Sequence, residues 1–322
     1  MHLDFSLSHL RFHFEPKSTL IMPARNKGNV IRGGFGSTFR RIVCHSGCRE
    51  PATCQLRNVC PYVTVFHPFV PEGSERLSRN PDIPRPFVIK PPLEEKETYA
   101  AGDRLSFDMV LVGRIRDYLP YFIVTFKELC RVGLGRGRTP VELVAVESVG
   151  ADGDTTPVYT LEENIVRPPR APLGWADIAG SAGKGRIERG RQITLRFLTP
   201  TMLKVDGAVV RHPSFGTILK RLRDRINALS YFYCGAALEI DFKAFGEAAD
   251  KVITRADVTR WVETRRYSRR REVPHDLSGF VGDASFEGDL GPFVPYLKLG
   301  EYVHVGKNVV FGNGWYRIVE VD

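Results

Sequence analysis

The sequence has few cysteines and no long apolar run. Six of its 322 residues are cysteine, too few for a disulfide framework in a chain of this length, so we expect a reducing, cytoplasmic environment. No stretch approaches the roughly 18 apolar residues that a membrane span requires. Residues 1–10 alternate apolar with polar side chains and do not resemble a secretion signal. We therefore expect no membrane partner.

Acidic residues are in the minority. The chain has 46 Lys and Arg residues against 37 Asp and Glu, which gives a net charge of +9. Such an excess attracts polyanions and favours nucleic acid or an anionic membrane as a partner. A basic protein without such a partner is the alternative. The sequence also lacks a clustered carboxylate motif of the kind that two-metal catalysis needs.

The chain contains two similar orders of predicted elements. Leu10-Arg11-Phe12 and Leu195-Arg196-Phe197 each lie in an alternating segment typical of a half-buried strand. In the first half, the patterns predict strands over 9–16, 87–90, 105–113 and 141–149, with helices over 30–43 and 118–132. In the second half, they predict strands over 192–200, 257–271, 276–286 and 315–321, with helices over 215–233 and 291–303.

Strand, helix, two strands, helix, strand is the order of a ferredoxin-like domain. The sequence therefore predicts an α+β protein with two tandem ferredoxin-like domains, residues 1–161 and 191–322. Residues 162–190 are rich in proline and glycine and are interpreted as a linker. The alternative is that the similarity of the two halves is a coincidence.

A glycine-rich segment, residues 305–314, lies between the last predicted helix and the last predicted strand. Its glycines permit positive φ, its backbone N–H groups could form an anion nest, and Lys307 adds a positive charge. A P-loop is excluded because the loop precedes a strand and lacks the GK[ST] signature. The alternative is a tight turn that needs glycine only for its geometry.

A basic segment with aromatic residues spans 261–271. If it forms one strand, a single face carries Trp261, Arg265, Tyr267, Arg269 and Arg271. Arginine and aromatic side chains suit phosphate contact and base stacking, so we predict that Arg265, Tyr267 and Arg269 bind RNA. The alternative is a solvated edge strand that its charges protect from aggregation.

Four cysteines fall within a short segment: Cys44, Cys48, Cys54 and Cys60. Four thiolates suffice for a tetrahedral structural zinc site, which is more common than an iron–sulfur cluster in short loops. The alternative is a set of small buried thiols, as we expect for Cys130 and Cys234. His45 lies in the same segment and is an alternative zinc ligand.

The glycine-rich segment resembles the loop that precedes the last strand of RAMP proteins. The longer string, Phe286 to Phe293, Leu299 to Lys307 and Phe311 to Gly314, is similar to the C-terminal domain of CRISPR repeat-processing endoribonucleases. The N-terminal half is similar mainly in its element order and cysteine-rich segment, and its loop over 133–138 is shorter. The resemblance implies RNA binding by a set of loop residues: His304, Gly306, Lys307, Gly312, Gly314, Arg136 and Arg138.

The resemblance also implies a reaction. It predicts metal-independent cleavage of precursor CRISPR RNA within repeats, by attack of a ribose 2′-hydroxyl that leaves a 2′,3′-cyclic phosphate. His45 follows the first predicted helix, where family members often place a catalytic histidine. No cofactor is expected for catalysis, and CRISPR repeat RNA and other CRISPR effector subunits are the expected partners. The alternatives are a non-catalytic RAMP subunit that holds guide RNA, and an RNA-binding module outside CRISPR systems.

Overall fold

The computed structural model describes residues 3–44, 48, 50–70, 83–180, 192–268 and 273–321. The chain forms two compact units. The N-terminal unit comprises residues 5–173 and 228–235, and the C-terminal unit comprises residues 1–4, 174–227 and 236–322. Across the described residues, no helix is long and apolar enough to cross a membrane. The predicted domain and linker boundaries stay a prediction.

Within its described residues, the N-terminal unit combines seven strands with three α-helices. The strands are β1 (Ser6–Pro16), β2 (Leu20–Ile21), β3 (Phe87–Lys90), β4 (Thr98–Tyr99), β5 (Leu105–Val112), β6 (Val141–Val149) and β7 (Thr155–Thr160). The helices are α1 (Lys27–Val43), α2 (Pro61–Phe66) and α3 (Leu119–Val132). A two-residue strand, β8 (Leu173–Gly174), lies where the two units divide in the sequence.

The main sheet of this unit has the strand order β3-β5-β1-β6-β7. All four neighbouring pairs are antiparallel. Strand β1 is therefore central between β5 and β6, with α1 and α3 as the helices that follow β1 and β5. This is the ferredoxin-like order predicted from the sequence, with β7 added at one edge.

Aromatic rings fill the core between the sheet and the two helices. Phe35 of α1 stacks on Phe126 of α3 with ring centroids 4.7 Å apart, and Phe126 contacts Phe12 of β1 at 4.8 Å. Glycines in α1 lower its intrinsic helix propensity. Gly34 nevertheless has a packing role, because a Cβ there would lie 2.7 Å from Leu129 of α3. The missing side chain thus allows the two helices to pack closely.

The C-terminal unit repeats this arrangement with additional hairpins. Its strands are β9 (Gln192–Thr201), β10 (Leu203–Val205), β11 (Ala208–Val210), β12 (Ile253–Asp257), β13 (Arg260–Val262), β14 (Arg265–Ser268), β15 (Val273–Asp276), β16 (Gly279–Glu287) and β17 (Tyr316–Val321). Its helices are α4 (Trp175–Gly180), α5 (Phe215–Leu229), α6 (Phe242–Asp250) and α7 (Val294–Val303).

The main sheet of the C-terminal unit has the order β12-β16-β9-β17, and β13 also pairs with β16. The central strand β9 lies antiparallel to both β16 and β17. Strand order and connectivity match those of the N-terminal sheet. The predicted fold class, α+β with two tandem ferredoxin-like domains, is confirmed.

The predicted single strand over 257–271 is wrong. The chain leaves the main sheet in steps, through β12, β13 and then β14, which pairs with β15 in a separate two-stranded sheet. Asp257 causes the first break, because its carboxylate accepts hydrogen bonds from the backbone N–H and the hydroxyl of Thr259, at 3.0 and 2.6 Å. Such a local side-chain turn competes with the strand ladder.

The helix predicted over 215–233 is α-helical only as far as Leu229, and α6 was not predicted. Helix α5 ends at Leu229 and continues as a π-helical turn over Ser230–Cys234, and Gly235 follows at φ 90°. Helix α6 starts at a capping residue, Asp241, whose carboxylate accepts hydrogen bonds from the N–H groups of Lys243 and Ala244. Asp241 was the sequence signal that could have revealed this helix.

Candidate nucleic-acid interface

The glycine-rich loop packs against the end of β9. Gly306 and Gly314 adopt φ values of 86° and 74°. A Cβ on Gly306 would lie 2.4 Å from the Met202 carbonyl oxygen, and one on Gly314 would lie 1.9 Å from the Val305 carbonyl oxygen. Gly312 also has a positive φ, 93°. These glycines therefore allow a backbone approach that no other residue type would fit.

Several N–H groups of the loop bind carbonyl groups within the C-terminal unit. Lys307 N–H donates to Met202 O and Gly314 N–H donates to Pro200 O, both at 3.0 Å. Gly312 N–H donates to Val309 O at 2.9 Å. These three groups hold the loop in place and do not point to an external anion. An anion nest in this loop would have to use other N–H groups.

His304 lies inside the loop and not on its surface. Its side chain is fully buried, its ring stacks on Trp315 at 5.8 Å, and its Nδ1 lies 3.1 Å from the Asn313 carbonyl oxygen. Because a carbonyl only accepts, Nδ1 carries the hydrogen and donates it. In this conformation His304 stabilises the loop from within.

The side chain of Lys307 is exposed at the tip of the loop. Within the described parts of the chain, it forms no ion pair or side-chain hydrogen bond. A lysine that is not neutralised by a neighbouring carboxylate keeps its full charge for an anionic ligand. Lys307 therefore presents a positive charge to solvent.

Two asparagines tie the loop to the connection between β15 and β16. Asn308 Nδ2 donates to the carbonyl of Asp276 at 2.8 Å, and Asn313 Nδ2 donates to the carbonyl of Leu277 at 2.9 Å. Asn308 Oδ1 also lies 2.9 Å from Nε2 of the exposed His275. Sequence reasoning missed these contacts, although asparagine beside glycine in a turn is a signal for such local hydrogen bonds.

Strand β14, which pairs with β15, carries two of the predicted RNA-binding residues. Arg265 pairs with Asp276 of β15, and Tyr267 pairs with Pro274. The third, Arg269, lies outside the described residues. Trp261, which the sequence placed on the same face, belongs instead to β13 and pairs with Phe280. The guanidinium of Arg211 lies 4.7 Å from the Trp261 ring centroid, a partner that the sequence did not indicate.

The basic residues of α5 are largely engaged by neighbouring groups. Lys220 pairs with Asp250 at 2.6 Å, Arg223 pairs with Asp224 at 2.7 Å, and Arg225 donates to the Val303 carbonyl at 2.8 Å. Local pairing reduces the field that a cation presents to a distant ligand. The positive charge of this helix is thus partly neutralised within its own unit.

The N-terminal unit has a smaller loop of the same kind after α3. Gly133 and Gly135 have positive φ, and a Cβ on Gly135 would lie 2.2 Å from the Ile21 carbonyl oxygen. The N–H of Arg136 donates to that same carbonyl at 2.9 Å. The side chains of Arg136 and Arg138 are exposed, and no partner of either is found among the described residues. They form an exposed pair of cations in the N-terminal unit.

Comparisons with known proteins give the family. A family model for an N-terminal domain, AF_1859_N, matches residues 5–171, more than half of the chain. The model for the CRISPR-associated endoribonuclease Cas6 matches residues 195–316, which include the whole glycine-rich loop. The chain therefore belongs to the family of the N-terminal model, and its second half carries a Cas6 domain. The resemblance noted in the sequence is confirmed.

A related protein and two solved structures are similar to the chain over nearly its whole length. An uncharacterized protein of Archaeoglobus fulgidus is 24% identical over 90% of this chain and 91% of its own length. Thermus thermophilus Cas6 has the same fold, with a TM-score of 0.56, 12% identity and coverage of 98% and 99% of the two chains. A Cas6 product complex gives a TM-score of 0.55 at 14% identity, with the same coverage.

The cysteine-rich segment lies outside the Cas6 match and inside the N-terminal match. Burial, together with the nearby Cys48 and Cys60, raises the pKa of the Cys44 thiol to about 11. In the parts of the chain that are described, no three His, Cys, Asp or Glu side chains converge as a metal site. His45, the alternative zinc ligand, lies outside the described residues. Zinc binding therefore stays a prediction.

Proposed function

We propose that this Cas6-type protein cleaves precursor CRISPR RNA within its repeats, without a metal ion, and leaves a 2′,3′-cyclic phosphate. One observation carries the proposal. The loop that the Cas6 model matches is held by its glycines and asparagines and exposes Lys307, and its Asn308 contacts His275 of β15, the strand that pairs with β14. Little free energy of reorganisation is needed when a cation that is already in position stabilises a phosphate in the transition state.

The reaction requires in-line geometry, a base for the 2′-hydroxyl, an acid for the leaving oxygen, and cationic stabilisation of the phosphate. We assign phosphate contact to Lys307 and RNA binding to Arg265, Tyr267 and Arg269, with Arg136 and Arg138 as further contacts. His304, Gly306, Gly312 and Gly314 shape the loop. The base is assigned to His45 on the basis of the sequence alone.

Purified protein incubated with repeat RNA in EDTA tests the proposal. We expect cleavage at one position, with a 2′,3′-cyclic phosphate on one product and a 5′-hydroxyl on the other. RNA with a 2′-deoxy nucleotide before the cut should bind and stay intact, because the attacking oxygen is missing. Cutting of the deoxy RNA, or a requirement for a divalent metal ion, would contradict the mechanism.

The runner-up is a RAMP subunit that binds guide RNA without cutting it. The fold match to the Cas6 part of a partial Cas6-RT-Cas1–Cas2 complex has a TM-score of 0.59 at 14% identity and covers 46% of that longer chain. That likeness makes other CRISPR proteins plausible partners. Tight binding of repeat RNA with no cleavage of any substrate would favour this second function.

A further inference from the structure

Among the described residues, His275 and His212 are exposed histidines whose ring is anchored at one nitrogen, and of the two His275 is the one that contacts the glycine-rich loop. His9 and His304 are buried, and both ring nitrogens of His13 are engaged, by Ser106 Oγ at 2.7 Å and Glu147 Oε2 at 2.8 Å. His275 lies in β15 and contacts Asn308 of the glycine-rich loop. It therefore lies at the part of the C-terminal unit to which we assign phosphate contact.

Asn308 determines which ring nitrogen of His275 carries a hydrogen. Asn308 Nδ2 donates to the Asp276 carbonyl at 2.8 Å, so the other amide atom, Oδ1, is the one directed at His275. An amide oxygen accepts and never donates. His275 Nε2 must therefore donate its hydrogen to Asn308, and Nδ1 is the nitrogen that gains or loses a proton.

This arrangement suits proton transfer, since the ring keeps its Nε2–H bond whether or not Nδ1 is protonated. The orientation of the His275 ring is thus the same in its neutral and its protonated form. The anchor itself is well held, because Asn308 adopts φ 62° and ψ 20° at the start of the short 3₁₀ helix over Val309–Phe311. The Phe311 ring lies 5.9 Å from the imidazole. Asparagine is among the residues that tolerate this left-handed conformation.

We propose that His275 is a catalytic residue, the general acid that protonates the leaving 5′-oxygen, an inference that rests on the proposed function. The 2′-oxygen forms the new bond to phosphorus and gives its proton to the general base. The bond from phosphorus to the 5′-oxygen breaks, and that oxygen takes the proton from His275 Nδ1. The neutral imidazole then regains a proton from solvent. Asn308 acts as a positioning residue.

The test compares two substrates in single-turnover cleavage. One is unmodified repeat RNA, and the other carries sulfur in place of the 5′-oxygen at the cut. A thiolate leaves without protonation, so loss of a general acid matters little for the second substrate. We expect His275→Ala to slow cleavage of normal RNA by about 100-fold or more. On the sulfur substrate, the variant should regain most of the wild-type rate.

The matched control is His212→Ala. His212 is also an exposed histidine of the C-terminal unit, with its Nδ1 2.9 Å from Asp257. We expect this variant to cut both substrates at close to the wild-type rate. Asn308→Gly keeps the left-handed backbone but removes the amide, so it should show a smaller defect with the same recovery on the sulfur substrate. RNA affinity and melting temperature should change little in His275→Ala and His212→Ala.

The outcomes separate the inference from the proposed function. If the wild-type protein cuts neither substrate, the proposed function fails. If the wild type cuts and His275→Ala is unimpaired, or is equally slow on both substrates, His275 is not the general acid. The assignment would also be overturned if the sulfur substrate restored the cleavage rate of a slow His212→Ala variant and did not restore that of His275→Ala. The same measurements on His275→Gln guard against an effect specific to alanine.

Discussion

Arg196 of β9 lies directly opposite Asp283 of β16, and its guanidinium donates two hydrogen bonds to that carboxylate, at 2.9 and 2.8 Å. Arg11 of β1 lies opposite Asp108 of β5 in the same way, with hydrogen bonds of 2.8 and 3.2 Å. Both arginines are the middle residues of the Leu-Arg-Phe motifs. The shared motif therefore marks the same position in two sheets of the same topology.

The two pairs should differ in their contribution to stability. The Asp108 side chain is 16% exposed and also binds His9 at 2.8 Å, whereas the Asp283 side chain is 29% exposed and binds Arg196. We expect Asp108→Asn to lower the free energy of unfolding by about 1–3 kcal/mol. Asp283→Asn should lower it by roughly 1 kcal/mol or less. Chemical denaturation of both variants at pH 7 gives the comparison.

The Asp108 effect should also depend on pH. Burial raises the pKa of Asp108, but hydrogen bonds from His9 and Arg11 outweigh it and hold the pKa well below its usual range. A carboxyl group with a depressed pKa stabilises the fold above its unfolded pKa of about 3.9. That stabilisation is lost as the pH falls through the lower, folded value. The difference in the free energy of unfolding between wild type and Asp108→Asn should therefore become smaller in acid. A difference that does not change with pH would contradict this reasoning.

Much of the fold could be predicted because the repeated units have strong patterns. Strands over 87–90 and 141–149 match the structure. The sequence failed where a polar side chain redirects the backbone, as Asp257 does between β12 and β13. The alternation of side chains does not reveal such a turn, because the sequence from Arg260 to Arg271 still alternates as it would in one strand. The wrong strand also put Trp261 and Arg265 on one face, although they lie in different sheets.

The candidate site was only partly predictable for a related reason. The glycines and Lys307 are visible as a motif, but the roles of Asn308 and Asn313 depend on carbonyl groups more than 30 residues away. No local pattern encodes such a contact. His304 illustrates the converse case. Its place in the motif suggested a ligand contact, yet its φ of 59° and its stacking on Trp315 bury it beneath the loop.

Gly300 should be intolerant of any side chain. A Cβ there would lie 1.9 Å from the Tyr316 hydroxyl oxygen, and that buried hydroxyl is held by a 2.7 Å hydrogen bond to the Leu297 carbonyl. We expect Gly300→Ala to lower the free energy of unfolding by about 1–3 kcal/mol. Gly246→Ala is the control. Gly246 lies in helix α6 of the same unit, and a Cβ there would meet no atom closer than 3.5 Å.

Removal of the clashing hydroxyl provides a check on the cause. The double variant Gly300→Ala, Tyr316→Phe should recover part of the lost stability relative to the sum of the two single changes. Thermal or chemical denaturation of the four proteins gives the coupling energy directly. Simple additivity would show that the cost of Gly300→Ala arises elsewhere, for example in helix α7 itself.

Lys307 and the pair of strands β14 and β15, here called the basic hairpin, should determine the salt dependence of RNA binding. Each lost phosphate contact should reduce the slope of log K against log salt by about 0.7–1. We therefore expect a smaller slope for Lys307→Ala and for the double variant Arg265→Ala, Arg269→Ala, measured by fluorescence anisotropy. Lys243→Ala, which changes an exposed lysine on α6, should leave the slope unchanged. Slopes equal to that of the wild type in both test variants would assign the loop and the hairpin structural roles.

The last prediction concerns the cysteine-rich segment and His45. We expect Cys44, Cys48, Cys54 and Cys60 to bind one structural zinc ion, because four thiolates complete a tetrahedral shell without a histidine. Cys48→Ser should then lose zinc and melt at a lower temperature. Cys234→Ser, which changes a cysteine outside the segment, should retain the metal. Metal analysis of the purified proteins, together with their melting temperatures, provides the measurement.

If the thiolates fill the shell, His45 is available for chemistry. His45→Ala should retain one equivalent of zinc and its melting temperature, and it should lose roughly 100-fold or more in the single-turnover rate if His45 is the general base. A base acts before the leaving group departs, so this defect should persist on the 5′-sulfur substrate, unlike that of His275→Ala. Loss of zinc in His45→Ala would make the histidine a ligand. Retention of both zinc and full rate would place the base elsewhere in the chain.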